Sequence, residues 1–351
     1  MLYYLKGKIH EIYPVKTKRA ALPQGDPDLI LCTGEAVIDM FQKKSSDLGS
    51  VFLPLPGGCS YNTSIAAGAL SAPVAFFGRI SKNFFGDLQV QRLRDYNVKD
   101  DLILRCDQNP ILALIKTEGL KTQYAFYDEG TADRLLSANE LPSLPPETTC
   151  IMFGSVSMCM EPIASTIETF ITNTIRRQTK TQPVIVFDPN IRPFMIKDRN
   201  DYIKRFDKWI SFCDIVKISS EDSEYIFPDA SAEAALRKMI DHGVKLAVIT
   251  LGPDGAAAML RRDDGTEIKI SVDGVKIPQL ADTVGAGDTF LGALLAWLEL
   301  RGKMSRNAVM NFDTESLQQA LSFANKAAAL VCTRYGAQPP ALNEIENFFS
   351  P

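Results

Sequence analysis

Asp282-Thr283-Val284-Gly285-Ala286-Gly287-Asp288-Thr289-Phe290 leads without a break into the apolar run Leu291-Gly292-Ala293-Leu294-Leu295-Ala296-Trp297. Two glycines flanking an alanine let the backbone approach a ligand closely. A helix that begins there leaves the amides of Ala286, Gly287 and Asp288 without acceptors, at the positive end of its dipole. Such a helix start binds a phosphate or an oxyanion. A lone Asp in a first helical turn more often complements the dipole than does chemistry, so context decides the role of Asp288. Half of a GxGxxG fingerprint is present, but Phe290 stands at the third glycine and no strand leads straight in. Both features disfavour a dinucleotide site. No GxxxxGK followed by Ser or Thr occurs either, which excludes a P-loop.

Working outward, the chain from Leu29 alternates short apolar runs with longer helical periods, the pattern of parallel strands buried on both faces. Strands are expected over Leu29–Thr33, Val74–Gly78, Cys150–Gly154, Val184–Asp188, Ile215–Ile218 and Leu246–Thr250. Helices are expected near 62–70, 85–96, 162–178, 202–212 and 232–242. A β-hairpin over 256–261 and 267–272 follows, then helices near 286–301, 314–333 and 343–349. Repeated βα units place ligands at the carboxyl ends of the strands. Residues 36–57 and 102–127 break the alternation with β-like runs and no helix between them, which reads as a small separate sheet over the site. Residues 1–28 carry Lys6, Lys8, Lys16, Lys18 and Arg19 with little apolar periodicity and read as a frayed N-terminal extension. Residues 29–351 then form one large α/β domain with a small β lid.

Composition narrows the chemistry. Of 351 residues, 46% are apolar and 23% charged, which rules out general disorder. Thirty-eight basic against 42 acidic residues leave −4, so neither nucleic acid nor a membrane is an expected partner. Only His10 and His242 are present, too few for a Ser-His-Asp triad with any redundancy or for a histidine metal cage. Catalysis must then run on carboxylates, cations, bound metal or backbone dipoles. Seven cysteines without CxxC spacing, and no signal peptide or bilayer-length apolar run, point to reduced thiols in the cytoplasm.

The motifs, in order, are Pro56-Gly57-Gly58-Cys59-Ser60-Tyr61-Asn62, Asp188-Pro189-Asn190-Ile191-Arg192-Pro193, Thr250-Leu251-Gly252-Pro253-Asp254-Gly255, the Asp282–Asp288 segment, and Phe323-Ala324-Asn325-Lys326-Ala327-Ala328-Ala329. In this order and spacing the chain resembles the PfkB (ribokinase-like) family of carbohydrate kinases from about Thr33 to Asn343. It looks closest to the fructokinase-like members, through Gly34-Glu35-Ala36-Val37-Ile38-Asp39, Phe126-Tyr127 and Ala132-Asp133. The resemblance implies a ribokinase-like three-layer α/β/α sandwich with a mostly parallel central sheet and a small β-sheet lid. It implies an ATP-dependent sugar kinase, with fructose as lead acceptor and 2-keto-3-deoxygluconate, ribose or a nucleoside as alternatives. A catalytically silent nucleotide- or sugar-binding protein on the same scaffold is the non-enzyme alternative.

By the same resemblance, Asp288 is the catalytic base and the amides of Gly285, Ala286, Gly287 and Asp288 form an anion hole. A carboxylate at a helix N-terminus is expected to have a depressed pKa, making it a weak base that orients the hydroxyl and accepts its proton late. Asp39, Gly57, Gly58, Asn62, Tyr127 and Arg192 are implied for the sugar. Lys217, Ser219, Thr250, Gly252, Gly255 and Asn325 are implied for the nucleotide. Ser219 and Asp222 stand where the family's Asn-x-x-Glu element organises Mg²⁺ through water, so either Asp222 or Glu221 is the candidate. Asp282 is the candidate for a monovalent cation such as K⁺. Lid sheets in the family pair between subunits, which implies a homodimer.

Overall fold

The computed structural model describes residues 28–45, 48–118, 121–177 and 182–348. In chain order the strands are β1 (Leu29–Thr33), β2 (Val37–Ser45), β3 (Gly49–Gly57), β4 (Val74–Ser81), β5 (Ile103–Cys106), β6 (Leu112–Glu118) and β7 (Lys121–Tyr127). They continue with β8 (Thr148–Gly154), β9 (Val184–Asp188), β10 (Ile215–Ser219), β11 (Leu246–Thr250), β12 (Gly255–Arg261) and β13 (Glu267–Asp273). Nine of them form one sheet in the order β13-β12-β11-β10-β9-β8-β1-β4-β5. Its pairings from β5 to β11 are parallel, and β12 and β13 add an antiparallel edge.

β1 and β9 are buried at every position, so successive side chains enter opposite cores. Ile30 and Cys32 join one cluster, packed with the helices Cys59–Ala69, Ala286–Glu299 and Thr314–Val331. Leu29 and Leu31 join the other, with Phe170, Phe206 and Trp209 from the helices Ile163–Arg176 and Arg199–Ile210. Fully burying each such large apolar side chain contributes roughly 1.5–3 kcal/mol, and both faces of the sheet gain from it. Helices over and under one sheet give the expected three layers.

β2, β3, β6 and β7 form a separate sheet in the order β3-β2-β6-β7. One boundary differs from the sequence expectation. Ile103–Cys106 pairs in parallel with Gly78–Ser81 and closes the edge of the large sheet, so the second lid segment begins at Leu112. A short β-like run has the same period in either sheet, and only pairing distinguishes them. Two short helices, Ser220–Ile226 and Arg306–Met310, also lie where no helix was expected. The extension expected over 1–28 lies outside the described residues, apart from Asp28. Among the described residues no helix is long and apolar enough to cross a membrane.

Candidate active site

The Asp282–Asp288 segment folds as its glycines require. Gly285 is left-handed, with φ +77°, and a Cβ there would stand 2.4 Å from the Cβ of Ala337. The helix Ala286–Glu299 follows at once. Ala286 donates to the Thr283 carbonyl at 3.2 Å and Thr289 to that of Gly285 at 2.8 Å. The amides of Gly287 and Asp288 have no backbone acceptor among the described residues, so they are available to an anion. Asp282 pins the loop: its two oxygens accept the Val284 amide at 3.1 Å and the Gly336 amide at 3.0 Å.

Asp288 sits in the first turn, 7% exposed. Asn62 Nδ2 donates to its Oδ2 at 2.9 Å, and Asn190 Nδ2 reaches its Oδ1 at 3.4 Å. The depressed pKa expected at a helix N-terminus is not found. Burial raises it above the usual carboxylate range, and the Asn62 hydrogen bond and the Lys217 charge only partly offset that. Desolvation, invisible in the local sequence, outweighs the dipole. Asn62 Oδ1 is buried without a protein partner among the described residues.

The Gly57-Gly58 turn joins β3 to the helix Cys59–Ala69. At Gly57 a Cβ would lie 2.1 Å from Asp39 Oδ2, so the missing side chain is the space that carboxylate occupies. Gly58 has φ +112°, and its Cβ would meet the Glu35 carbonyl oxygen at 2.6 Å. The buried Glu35 carboxylate accepts the Cys59 amide at 3.0 Å and the Ser157 amide at 3.1 Å, tying this turn to the loop after β8. Burial, with the Asp288 charge adding, pushes Asp39 up to about 7.

These groups line a cleft of about 530 Å³ at the carboxyl ends of the strands. Tyr124 and Phe126 of the lid form one wall, and Phe194 meets them with ring centroids at 5.9 and 5.3 Å. Tyr127 does not belong to it. Alternation along β7 turns Tyr127 to the other face, where it is 61% exposed and lines a separate groove with Phe84 and Leu112. Arg192 does line the cleft, with its guanidinium 2.7 Å from Asn190 Oδ1.

The residues assigned to the nucleotide and metal divide. Thr250 ends β11, and the turn beyond it contains Gly252, with open space where a Cβ would be, and Gly255, folded tightly onto Val272. Asn325 is committed elsewhere: its amide donates to the Asp273 carbonyl at 2.7 Å. Ser219 caps the helix Ser220–Ile226, its hydroxyl accepting the Asp222 amide at 3.0 Å. Asp222 is buried and accepts two amides, from Ile191 at 2.7 Å and Ser219 at 2.9 Å, which suits a helix cap better than a metal ligand. Glu221 is exposed; partial burial raises its pKa, but hydrogen bonds to its own amide, Ser219 and Ser220 outweigh this and leave it low. It alone of the two has a carboxylate open to a hydrated ion. Lys217 is buried against Asp188 rather than open to a ligand. Cys59, Asp188 and Asp288 place ligand atoms within 4.8 Å of one another, yet the Lys217 ammonium already supplies the cation there.

The sequence reading missed Asn190, Glu35 and Phe194. Asn190 follows a strand-ending Asp-Pro pair, and Glu35 is an acid directly after an apolar strand; both were detectable signals. Phe194 carried none beyond being an aromatic residue in a loop.

An amide cradle at a helix start, beside a buried carboxylate at the carboxyl ends of a parallel sheet, has the chemistry that phosphoryl transfer requires. The model of the pfkB family carbohydrate kinases matches residues 27–344, and the chain belongs to that family. It is accordingly a phosphotransferase acting on a sugar hydroxyl. It is 33% identical over 290 residues to a fructokinase from Rhizobium leguminosarum bv. trifolii, covering 83% of this chain and 86% of that one. It is 27% identical over 330 residues to fructokinase-1 of Oryza sativa subsp. japonica, covering 92% and 97%. The crystal structure of a fructokinase with bound ATP from Xylella fastidiosa superposes with a TM-score of 0.80 at 27% identity, covering 91% and 97%.

Proposed function

We propose that the protein transfers the γ-phosphate of ATP to a hydroxyl of fructose. The observation that carries this is Asp288, buried, with an amide on each oxygen, beside the unpaired amides of the first helical turn. The resemblance to fructokinases supplies the acceptor and the donor.

Asp39, Asn62 and Arg192, with the backbone of Gly57 and Gly58, orient the sugar against Asp288. Asp288 accepts the hydroxyl proton as charge moves onto the phosphoryl group. Its raised pKa makes it a better acceptor than a surface aspartate. The Ala286 amide, expected to be free, is taken by the Thr283 carbonyl, so the amides of Gly287 and Asp288 stabilise the transferring phosphoryl oxygens, in a transition state where positioning and electrostatics do most of the work. The turn of Thr250, Gly252 and Gly255 borders the nucleotide. Tyr124, Phe126 and Phe194 exclude water from the reacting end. Mg²⁺ would enter with the nucleotide, shield phosphate charge and be held through water by Glu221. Asp282 and nearby carbonyls are the place for K⁺.

The test is ADP release over a sugar panel that includes 2-keto-3-deoxygluconate, ribose and a nucleoside, for the wild type and Asp288→Asn. Fructose is expected to give the highest kcat/KM, and Asp288→Asn to lose about 10²–10⁴-fold in kcat. Full activity in Asp288→Asn would refute the base assignment. Turnover of another sugar at higher kcat/KM would refute the acceptor. Chelation is expected to stop turnover, and replacing K⁺ by a bulky organic cation to slow it. The outer lid face, with Phe52 and Tyr127 exposed, supports a homodimer, which sedimentation would detect.

A further inference from the structure

Lys217 and Asp188 are a deeply buried ion pair beside the site, 3% and 0% exposed, with Nζ to Oδ2 at 3.0 Å. Asp188 ends β9 and Lys217 lies at the centre of the adjacent parallel strand β10, and the two backbones already pair. A well-packed apolar pair there would be at least as stabilising, so joining the strands does not account for two buried charges. Their surroundings do. Asp188 Oδ1 accepts the Asn190 amide at 3.1 Å and its Oδ2 lies 3.9 Å from Cys59 Sγ. Asn190 has φ +35°, a conformation Asn tolerates and most residues resist. Arg192 donates to Asn190 Oδ1 at 2.7 Å, so the Asn190 Nδ2 is the group left to face Asp288 Oδ1, 3.4 Å away. On its other side, Lys217 Nζ lies 2.8 Å from where a Cβ at Gly287 would be. One ammonium thus underlies the anion cradle and, through Asp188 and Asn190, reaches the carboxylate of Asp288.

We propose that Lys217 and Asp188 form a positioning pair, seating Asp288 and the amide cradle in register for phosphoryl transfer without touching either substrate. The inference rests on the reading of Asp288 and the cradle given above. The ammonium stays charged despite its burial, because the carboxylates of Asp188 and Asp222 more than offset the desolvation. A fixed positive charge under Gly287 also reinforces the helix dipole where the transferring phosphoryl group would sit.

A pair that acts on register alone should act on kcat and spare KM. The experiment compares the doubly neutral variant Lys217→Met/Asp188→Asn, which leaves no unpaired charge, with Asn190→Ala and with Asp288→Asn in one ADP-release assay. Circular dichroism and thermal melting check folding. The double variant and Asn190→Ala are each expected to lose on the order of tenfold or more in kcat, with both KM values within about threefold. Their effects should not multiply when combined, because they interrupt one chain of contacts. A double variant that keeps kcat within threefold overturns the proposal. So does one whose nucleotide KM rises as far as kcat falls, since Lys217 would then be a nucleotide contact. If the double variant does not fold, Asn190→Ala decides alone, and kcat within threefold of wild type overturns the proposal. An active Asp288→Asn would instead point to failure of the underlying mechanism, so the two failures are separable.

Discussion

Gly57→Ala and Gly58→Ala are neighbouring substitutions of the same kind, and the structure separates their consequences. At Gly57 the new methyl would stand 2.1 Å from Asp39 Oδ2. The obstacle is the tip of a side chain, which can rotate away by more than about 1 Å. No left-handed backbone is involved, so folding should survive, helped by the ~0.4–1 kcal/mol that Gly→Ala contributes through the unfolded chain. What is lost is the placement of one sugar contact, worth about 1–3 kcal/mol, or roughly 10–200-fold in sugar KM. At Gly58 the methyl would meet the Glu35 carbonyl oxygen at 2.6 Å, with φ at +112°. Backbone cannot rotate aside, and strain of about 1–3 kcal/mol falls on stability. Sugar and ATP titrations by ADP release, with thermal melts, read both effects. Gly57→Ala should raise sugar KM with a near-native melting temperature, while Gly58→Ala should melt earlier. Asp39→Ala/Gly57→Ala should bind sugar no worse than Asp39→Ala alone, because both changes remove one contact. A sugar KM within twofold of wild type in Gly57→Ala, or a multiplied loss in the double variant, would refute the reasoning.

Three further outcomes are expected. Asp39 titrates at about 7, so it gains a proton as pH falls through that value and offers sugar hydroxyls fewer acceptors; sugar KM should rise there, and Asp39→Asn should remove the dependence. Asn325→Ala loses the bond to the Asp273 carbonyl and should cost about 1–2 kcal/mol in denaturant unfolding, with ATP KM within about twofold. Asp222→Ala removes a buried cap holding two amides and should cost roughly 2 kcal/mol or more, whereas Glu221→Ala should leave the melting temperature alone and raise the Mg²⁺ concentration needed for turnover.

The central strands were legible because strands buried on both faces read as continuous apolar runs; β1, β9 and β11 fall on their expected bounds. The cradle was legible because glycine, alanine and aspartate before an apolar helix carry their meaning locally. What depended on distant neighbours was not. Nothing local distinguishes Ile103–Cys106 as a main-sheet edge from the lid strands after it. Asp222 reads as a metal-side acid until the Ile191 amide, supplied by another loop, is seen to occupy it. The pKa of Asp288 follows from burial beneath elements far away in sequence, while the sequence displays only its helix dipole. Tyr127 and Phe126 are adjacent letters, and which one faces the cleft depends on strand register.

Gly285 packs against Ala337, and the Asp282 carboxylate holds the Gly336 amide. Arg92, from the helix Phe84–Asp95, donates to the Ala337 carbonyl. The phosphate cradle is therefore braced by chain synthesised well after it. During translation the helix Ala286–Glu299 can form early, but its anion-binding end lacks its backing until residues 336 and 337 have left the ribosome. On the assignment proposed above, a stalled chain that ends before this brace would hold the cleft residues without the backing of its phosphate seat.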